Sequence, residues 1–295
     1  SNGFLGKNFL KHPLSKEHVI LNPSKNNLNL LDVKLIDDYL SYHNPDLIIN
    51  CAGIVGGIAA NINNDLNFLN ENISINKNLI LSSFQHNIKK FINFGSSCMY
   101  PSHLKGPMEE SQITGGNFEK TNEGFALSKV VSLKLCEYIS NDYNDFFYKT
   151  IIPCNLFGSF DHYNDKIRSH MIASAINKVH EAKLNNSDTI IVWGSGKVRR
   201  EYTSAYNVVD FVYKNIQNIS SFPNYFNLGI NLDYSVKQYY EMIMKLFNFE
   251  ANLKMDISKP DGVFQKLLNT TYPQKINWIN PLSLRDGLKE AINFY

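Results

Sequence analysis

The 295-residue sequence lacks several features that define whole classes of protein. It has no apolar run of about 18 residues and no apolar leader segment, so we expect neither a membrane span nor a secretion signal. Its four cysteines are widely spaced and form no Cys-x-x-Cys pair, which argues against a zinc site and against a disulfide scaffold. These absences predict a soluble, cytoplasmic protein that holds no metal and has no membrane partner.

The sequence also lacks a strong charge of either sign. Its 29 lysines and arginines face 27 aspartates and glutamates, which leaves a formal charge of +2. Because nucleic-acid binding depends on clustered cations and no basic stripe stands out, we expect no nucleic-acid partner. With 43% hydrophobic and 19% charged residues, the composition excludes a disordered tail or a fibrous repeat.

The sequence does contain an alternation of apolar strands with helices. Residues 46–52, 91–97 and 148–153 are predicted strands, and residues 31–42, 65–87 and 124–143 are predicted helices. Such a rhythm is typical of a parallel sheet covered on both faces. We predict an α/β fold with a Rossmann-type doubly wound parallel sheet over residues 1–160, returning near 198–228. The remainder, 161–295, is predicted to form a smaller α/β substrate domain, with helices near 167–184, 207–218, 235–247 and 283–293.

A glycine turn opens the chain and leads into a predicted helix. Gly3 and Gly6 enclose Phe4 and Leu5, which is half of a dinucleotide-binding fingerprint. Glycines let the backbone approach a pyrophosphate, which the positive N-terminus of the helix then stabilises. Since no strand precedes this turn, we expect about eight to ten further residues, carrying the first strand, upstream of Ser1.

The most informative constellation combines a strand end with a helix. The second predicted strand ends in Gly95-Ser96-Ser97-Cys98, and Phe125 and Lys129 follow in the next helix. Residues four apart share one helix face, so both side chains are expected to point into the cleft at the carboxyl ends of the strands. This layout resembles the active site of short-chain dehydrogenases/reductases, in which a strand-end serine faces a Tyr-x-x-x-Lys pair.

Several motifs resemble the GDP-L-fucose synthase family in particular, in the expected order along the whole chain. They are Asn44-Pro45-Asp46, Gly56-Gly57-Ile58-Ala59-Ala60-Asn61, Gly95-Ser96-Ser97-Cys98-Met99-Tyr100-Pro101, Pro107-Met108-x-Glu110-Ser111, Thr121-Asn122-Glu123, Lys134-Leu135-Cys136-Glu137, Val192-Trp193-Gly194-Ser195-Gly196, Arg200-Glu201 and Lys259-Pro260-Asp261-Gly262. The resemblance implies an extended short-chain dehydrogenase. Enzymes of this family epimerise C3 and C5 of GDP-4-keto-6-deoxy-mannose and then reduce C4 with NADPH, and related enzymes act on GDP-linked keto-heptoses.

The resemblance also implies a role for each matching residue. Ser96 would bind the substrate carbonyl, Cys98 would be the base and His170 the acid of epimerisation, and Lys129 would be the catalytic lysine. The implied cofactor contacts are Gly3, Phe4, Leu5, Gly6, Asp32, Val33, Ala52, Gly53, Lys129, Pro153, Asn155 and Leu156. The implied sugar-nucleotide contacts are Ser97, Asn155, Lys178, Trp193, Arg200 and Lys259. A homodimer through the helices near 65–87 and 124–143 is implied as well.

The cofactor is expected to be NADP(H) rather than NAD. Dehydrogenases that select NAD usually carry an acid at the end of the second strand, where it holds the ribose 2′-hydroxyl. Residues 21–25 contain no acid and include the cation Lys25, which would favour a 2′-phosphate.

Phe125 departs from the family, which has tyrosine at this position. Phenylalanine has no proton to donate, and the loss of a general acid typically costs about 10²–10⁴-fold in rate. An engineered Tyr→Phe substitution and a natural loss of reduction both explain it, and the intact Ser96, Cys98, Lys129 and His170 favour the first. Two alternatives therefore stay open: a single-activity C4 reductase or 3,5-epimerase for a GDP-4-keto-hexose or heptose, and a catalytically silent GDP-sugar or NADP-binding protein.

Overall fold

A computed structural model describes residues 2–56, 64–165 and 168–295. The helices in its first half are α1 (Phe4–Lys11), α2 (Val33–His43), α3 (Asp65–Gln85) and α4 (Glu123–Asp142). The strands there are β1 (Leu47–Asn50), β2 (Lys90–Phe94), β3 (Pro107–Met108), β4 (Phe147–Pro153) and β5 (Asn155–Phe157).

The second half alternates in the same way. Its helices are α5 (Met171–Leu184), α6 (Ala205–Asn215), α7 (Val236–Leu246), α8 (Thr271–Lys275) and α9 (Leu284–Phe294). Its strands are β6 (Thr189–Trp193), β7 (Arg199–Ser204), β8 (Tyr225–Leu228), β9 (Asp233–Ser235), β10 (Asn252–Asp256) and β11 (Gln265–Leu268). Among the described residues, no helix is both long and apolar enough to span a bilayer.

The main sheet is parallel, and its strands follow the order β1-β2-β4-β8. Ile48, Phe91 and Tyr148 are register neighbours that pack toward α2, α3 and α4. The next residues along the strands, Ile49 and Ile92, turn to the opposite face and pack with α1 and α6. Because successive side chains of a strand alternate between faces, continuous apolar strands need helices on both sides. The doubly wound parallel sheet predicted from the sequence is confirmed.

The smaller sheets consist mostly of strands from the second half of the chain. Strands β6 and β10 pair in parallel, while β3, β11, β7 and β5 form a second group in which β9 joins β7 antiparallel. Helices α5, α7 and α9 cover these strands with a separate core. A single residue, Cys154, separates β4 from β5, and the chain passes there from the main sheet into a smaller one. The division into domains at residue 160 stays a prediction.

Buried Glu201 on β7 forms hydrogen bonds to β11 and to the segment that follows β8. Its side chain has no solvent exposure and accepts hydrogen bonds from the backbone N–H groups of Ile230, Asn231 and Leu268 at 2.6, 2.7 and 2.8 Å. Burial raises the pKa of this carboxyl to about 7, although the three donors oppose that shift. The bonds hold β7 against β11 and thereby place Arg200 beside Lys266, which are register partners.

Candidate active site

The predicted strand over 91–97 ends earlier than expected, and the difference shapes the site. Strand β2 stops at Phe94, and Ser97–Met99 form a 3-10 turn. The turn is stabilised because Ser96 Oγ accepts a hydrogen bond from the backbone N–H of Cys98 at 3.2 Å. This bond leaves the hydroxyl hydrogen of Ser96 available to a substrate oxygen, while the Ser97 side chain is buried within the turn.

Lys129 is buried where the ends of β1 and β2 meet α4. Its Nζ donates to the backbone carbonyl of Phe94 at 2.9 Å, and a Cβ added to Gly53 would lie 3.9 Å from the same atom. Only 6% of Lys129 is exposed, and among the described residues no carboxylate forms an ion pair with it. Burial therefore lowers the pKa of this ammonium to about 8.

Phe125 faces Lys129 from one turn earlier on α4. The Nζ atom of Lys129 lies 5.7 Å from the centroid of the Phe125 ring, so the two residues share the face that their spacing predicted. The ring is 9% exposed and brings no hydroxyl to the cleft. Tyr100, which follows the turn, donates its hydroxyl hydrogen to Asn227 Oδ1 at 2.6 Å and is not placed to serve instead.

Cys98 lies between a neutral and a charged donor. Its Sγ accepts a hydrogen bond from Asn122 Nδ2 at 3.1 Å, and Lys266 Nζ lies 3.8 Å away on the other side. Lys266 also contacts Glu119 Oε2 at 3.0 Å, and Thr121 donates to Glu119 Oε1 at 2.9 Å. Burial opposes ionisation of Glu119, yet the nearby charge of Lys266 lowers the pKa of its carboxyl below the usual value.

Sequence reasoning assigned no role to Asn122, Glu119 or Lys266. Asn122 belongs to a quoted motif, and Lys266 is a charged residue within an otherwise apolar strand end, Lys266-Leu267-Leu268. That pattern could have drawn attention to Lys266, because a lysine is rarely buried without a partner. Glu119 carried no comparable signal, since its contact with Lys266 spans the fold.

Three predicted sugar-nucleotide contacts come together at the far end of the cleft. Trp193 is 52% exposed, and the ammonium groups of Lys178 and Lys259 lie 5.6 and 5.4 Å from its ring. Lys178 also donates to the backbone carbonyl of Ile191 at 2.9 Å. An exposed ring flanked by two cations is suited to a flat, anionic ligand such as a nucleoside diphosphate.

Arg200 lies between this end and Cys98. Its guanidinium donates to the backbone carbonyls of Arg199 and Asp261 at 2.8 and 3.3 Å, and burial lowers its pKa. The Asp261 carboxylate accepts from the backbone N–H of Ser195 at 2.7 Å, which joins the Lys259-Pro260-Asp261-Gly262 loop to the turn after Trp193.

His170 immediately precedes α5 and does not use its side chain to cap that helix. Burial lowers the pKa of its imidazole below the usual value. Within the described part of the chain, no contact joins His170 to Cys98, so its role as the acid stays a prediction.

The predicted cofactor residues occupy several strand and helix ends. Gly3 begins α1 with open space around it, and the backbone N–H of Ala52 donates to Asn50 Oδ1 at 3.1 Å. Asp32 caps α2 by accepting from the N–H of Leu35 at 3.2 Å, next to the exposed Val33. The remaining predicted contacts are Phe4, Leu5 and Gly6 in α1, Pro153 at the end of β4, and Asn155 and Leu156 in β5.

Asn155 was predicted to touch both ligands, but its amide is used within the protein. Its Nδ2 donates to the backbone carbonyl of Glu201 at 2.9 Å, which ties β5 to β7. Part of the quoted motif Gly56-Gly57-Ile58-Ala59-Ala60-Asn61 lies outside the described residues.

The chain is similar in sequence to several known proteins. The sequence model of the NAD dependent epimerase/dehydratase family matches residues 1–229. The GDP-L-colitose synthase of Yersinia pseudotuberculosis is 40% identical over 295 residues, which cover 100% of this chain and 96% of that protein. The GDP-L-fucose synthase of Azorhizobium caulinodans is 35% identical over 293 residues, 99% of this chain and 93% of that protein.

The fold of the chain is also similar to those of solved structures. A GDP-6-OMe-4-keto-L-xylo-heptose reductase from Campylobacter jejuni matches with a TM-score of 0.90 and 25% identity, covering 99% of this chain and 94% of its own. A GDP-mannoheptose C4 reductase from the same organism, with NADP bound, matches with a TM-score of 0.89 and 25% identity, covering 99% and 95%.

Proposed function

From the membership of this chain in the NAD dependent epimerase/dehydratase family, in the group that includes GDP-L-fucose synthases, we propose a function. The protein epimerises a GDP-linked 4-keto-6-deoxy sugar, and its reduction of the C4 carbonyl is impaired. The observation that carries this proposal is the contrast within one cleft. Cys98 is held between two donors, whereas the position next to Lys129 that should donate a proton is the ring of Phe125.

The residues present fit NADP(H). No side chain caps α1 and its first turn holds no acid, so its free N–H groups can receive a pyrophosphate after Gly3. Gly53 leaves room beside Lys129, whose ammonium can hold a ribose hydroxyl. The bound cofactor would supply the hydride for reduction at C4. The NADP-bound heptose reductase supports this choice.

Epimerisation would need a base and an acid on opposite faces of the sugar. The Cys98 thiolate would take the proton from a carbon next to the C4 carbonyl, so that the C–H bond breaks, an S–H bond forms and the electron pair moves to the carbonyl oxygen. The hydroxyl of Ser96 can donate a hydrogen bond to that oxygen and stabilise its charge. His170 would return a proton to the carbon from the other face.

Reduction would need a group that donates a proton to the C4 oxygen, and position 125 does not provide one. Lys129 is 5.7 Å from the Phe125 ring, and that ring has no hydroxyl for the lysine to polarise. The same observation favours a second candidate, an enzyme that performs the 3,5-epimerisation alone. Both candidates share the Cys98 chemistry and differ only in whether any C4 reduction remains.

One NMR experiment tests the proposal. The protein, GDP-4-keto-6-deoxy-mannose and NADPH are incubated in D₂O while C3, C5 and the cofactor are followed. We expect deuterium at C3 or C5 with little oxidation of NADPH, and no deuterium in the Cys98→Ser variant. Ligand binding without deuterium exchange would overturn the proposal for this substrate and would favour the silent binding protein.

A further inference from the structure

Asn122 stands at a helix start but does not behave as a helix cap. Asparagine at this position normally accepts a hydrogen bond from a first-turn N–H group. Here its side chain makes no capping bond to α4, and its Nδ2 donates to Cys98 Sγ at 3.1 Å. Its Oδ1 is buried without a partner among the described residues. The hydrogen bond to sulfur is therefore the one interaction for which this side chain is placed.

Lys266 brings a full positive charge to the same sulfur. Its Nζ lies 3.8 Å from Cys98 Sγ and 3.0 Å from Glu119 Oε2, and both charged side chains are only 11% exposed. Water screens such contacts weakly, so the ammonium acts strongly on whichever neighbour carries negative charge. Arg200, the register partner of Lys266 on β7, brings a second cation whose charge also acts on Cys98 and Glu119.

We propose that Asn122 and Lys266 are positioning residues that stabilise Cys98 as a thiolate, and that Glu119 competes with the sulfur for Lys266. The inference deepens the proposed function, since it rests on Cys98 being the base. An amide N–H and an ammonium both donate to the charged sulfur and gain little from a neutral thiol. Together they favour the form that can accept a proton from carbon.

The arrangement also explains how the charge is balanced during turnover. When Cys98 accepts the substrate proton, its sulfur becomes neutral and loses its attraction for the ammonium. Lys266 then pairs with Glu119 alone, and it returns to the sulfur when the thiol passes its proton to solvent water and becomes a thiolate again. No proton leaves Lys266 or Glu119 in this cycle, because each keeps its charge throughout.

The test measures the thiolate directly and needs no substrate. The rate at which iodoacetamide alkylates Cys98 is followed against pH by mass spectrometry of its peptide, with Cys98→Ser as the blank. Lys266→Met should shift the midpoint of this profile upward, because it removes a cation that lies 3.8 Å from the sulfur. Asn122→Ala should shift it upward by less. Glu119→Gln should shift it downward, because it removes the competing anion but keeps an oxygen for Lys266.

Three controls separate positioning from structure. Lys266→Arg should restore the midpoint, and Lys289→Met, an exposed lysine on α9, should leave it unchanged. Thermal unfolding shows which variants fold. Opposite shifts in Lys266→Met and Glu119→Gln support the proposal, because loss of packing would not move the profile in two directions. Shifts of the same sign, or unchanged midpoints in folded variants, overturn it.

The result is distinguishable from failure of the proposed function. If the native protein exchanges no deuterium but the alkylation midpoints move as expected, the proposed activity is wrong and the positioning of Cys98 stands. If deuterium exchange occurs and the midpoints do not move, the activity stands and the positioning role is wrong.

Discussion

Lys129 and Lys266 both face the candidate site, but their surroundings differ. Lys129, with Ser96 and Phe125, forms what we call the reduction corner; its ammonium meets a backbone carbonyl and an aromatic ring. Lys266, with Cys98, Asn122 and Glu119, forms the exchange corner, and its ammonium lies 3.0 Å from a carboxylate and 3.8 Å from a sulfur.

The difference indicates that the two chemistries can be separated in this chain. A buried cation without a counter-charge lowers the stability of the fold. Such a cation therefore indicates a functional role, such as binding a ligand or polarising a neighbouring hydroxyl. The reduction corner retains the cation and lacks the hydroxyl. The exchange corner keeps the thiol of Cys98 together with the amide and ammonium donors beside it, so we expect proton exchange to persist where reduction is slow.

The largest expected effect comes from restoring the missing hydroxyl. Phe125→Tyr should raise the rate of C4 reduction by about 10²–10⁴-fold, because the phenol can donate a proton while Lys129 lowers its pKa. NADPH absorbance during single turnover measures this rate. Deuterium exchange at C3 and C5 should change little, since the exchange corner is untouched.

Phe125→Leu is the matched control for this gain. It keeps an apolar side chain on the same face of α4 and offers no proton, so reduction should stay as slow as in the native chain. A Phe125→Tyr variant that binds both ligands yet reduces no faster would contradict the assignment of the reduction corner.

The second effect concerns stability and has opposite signs in the two corners. Lys129→Met should stabilise the fold by about 2–3 kcal/mol near pH 7, because it removes a buried charge whose pKa has fallen from 10.5 to about 8. Lys266→Met should destabilise it, since the buried carboxylate of Glu119 would lose the ammonium with which it forms an ion pair. Urea unfolding of both variants measures the two changes.

The pH dependence of the first change provides its check. The unfolded chain binds more protons than the folded one between about pH 8 and 10.5, the ordinary pKa of a lysine, so native stability rises with pH across that window. The advantage of Lys129→Met should therefore shrink as pH rises above about 8. A pH-independent advantage would mean that packing, and not charge, separates the variants.

Much of this comparison could be predicted from local sequence. The alternation of apolar strands and helices predicted the parallel sheet, and the four-residue spacing predicted that Phe125 and Lys129 share a helix face. Such signals are short-range, because the periodicity of a helix or a strand depends only on residues that are close together in the sequence.

The exchange corner was less predictable because long-range pairing builds it. Cys98 and Lys266 are 168 residues apart in the chain, and Lys266 reaches the sulfur from β11, a strand that pairs with both β3 and β7. The early end of β2 was also missed, because the hydrogen bond between Ser96 and the N–H of Cys98 outweighs the extended pattern of residues 91–97. Neither a partner across the fold nor a competing side-chain bond is visible in periodicity.

A third prediction concerns how the rate of proton exchange depends on pH. The proposed acid, His170, must carry a proton to give, and burial lowers the pKa of its imidazole below 6.5. A thiol base ionises more as pH rises, so the native rate is compared with that of His170→Gln, in which the same ionisation acts. The ratio of the two rates of deuterium incorporation should fall as pH rises above that lowered pKa, by up to about tenfold per pH unit. NMR rates measured across neutral pH test this, and a pH-independent ratio would assign the acid to another group.

The smallest effect lies outside both corners and tests their independence. Lys259 lies 5.4 Å from the ring of half-exposed Trp193, where a cation–π contact is worth about 0.5–1 kcal/mol. Lys259→Met should weaken binding of a GDP-sugar by about two- to fivefold, and more at low salt, because the lost cation also attracts the diphosphate. Calorimetric titration measures the affinity, and Lys254→Met, an exposed lysine on neighbouring β10, is the control. At saturating ligand, deuterium exchange should be unchanged, since among the described residues no contact joins Lys259 to the exchange corner. A fall in that rate would mean that ligand anchoring and proton exchange are coupled, and the two corners would then have to be treated as parts of one cooperative site.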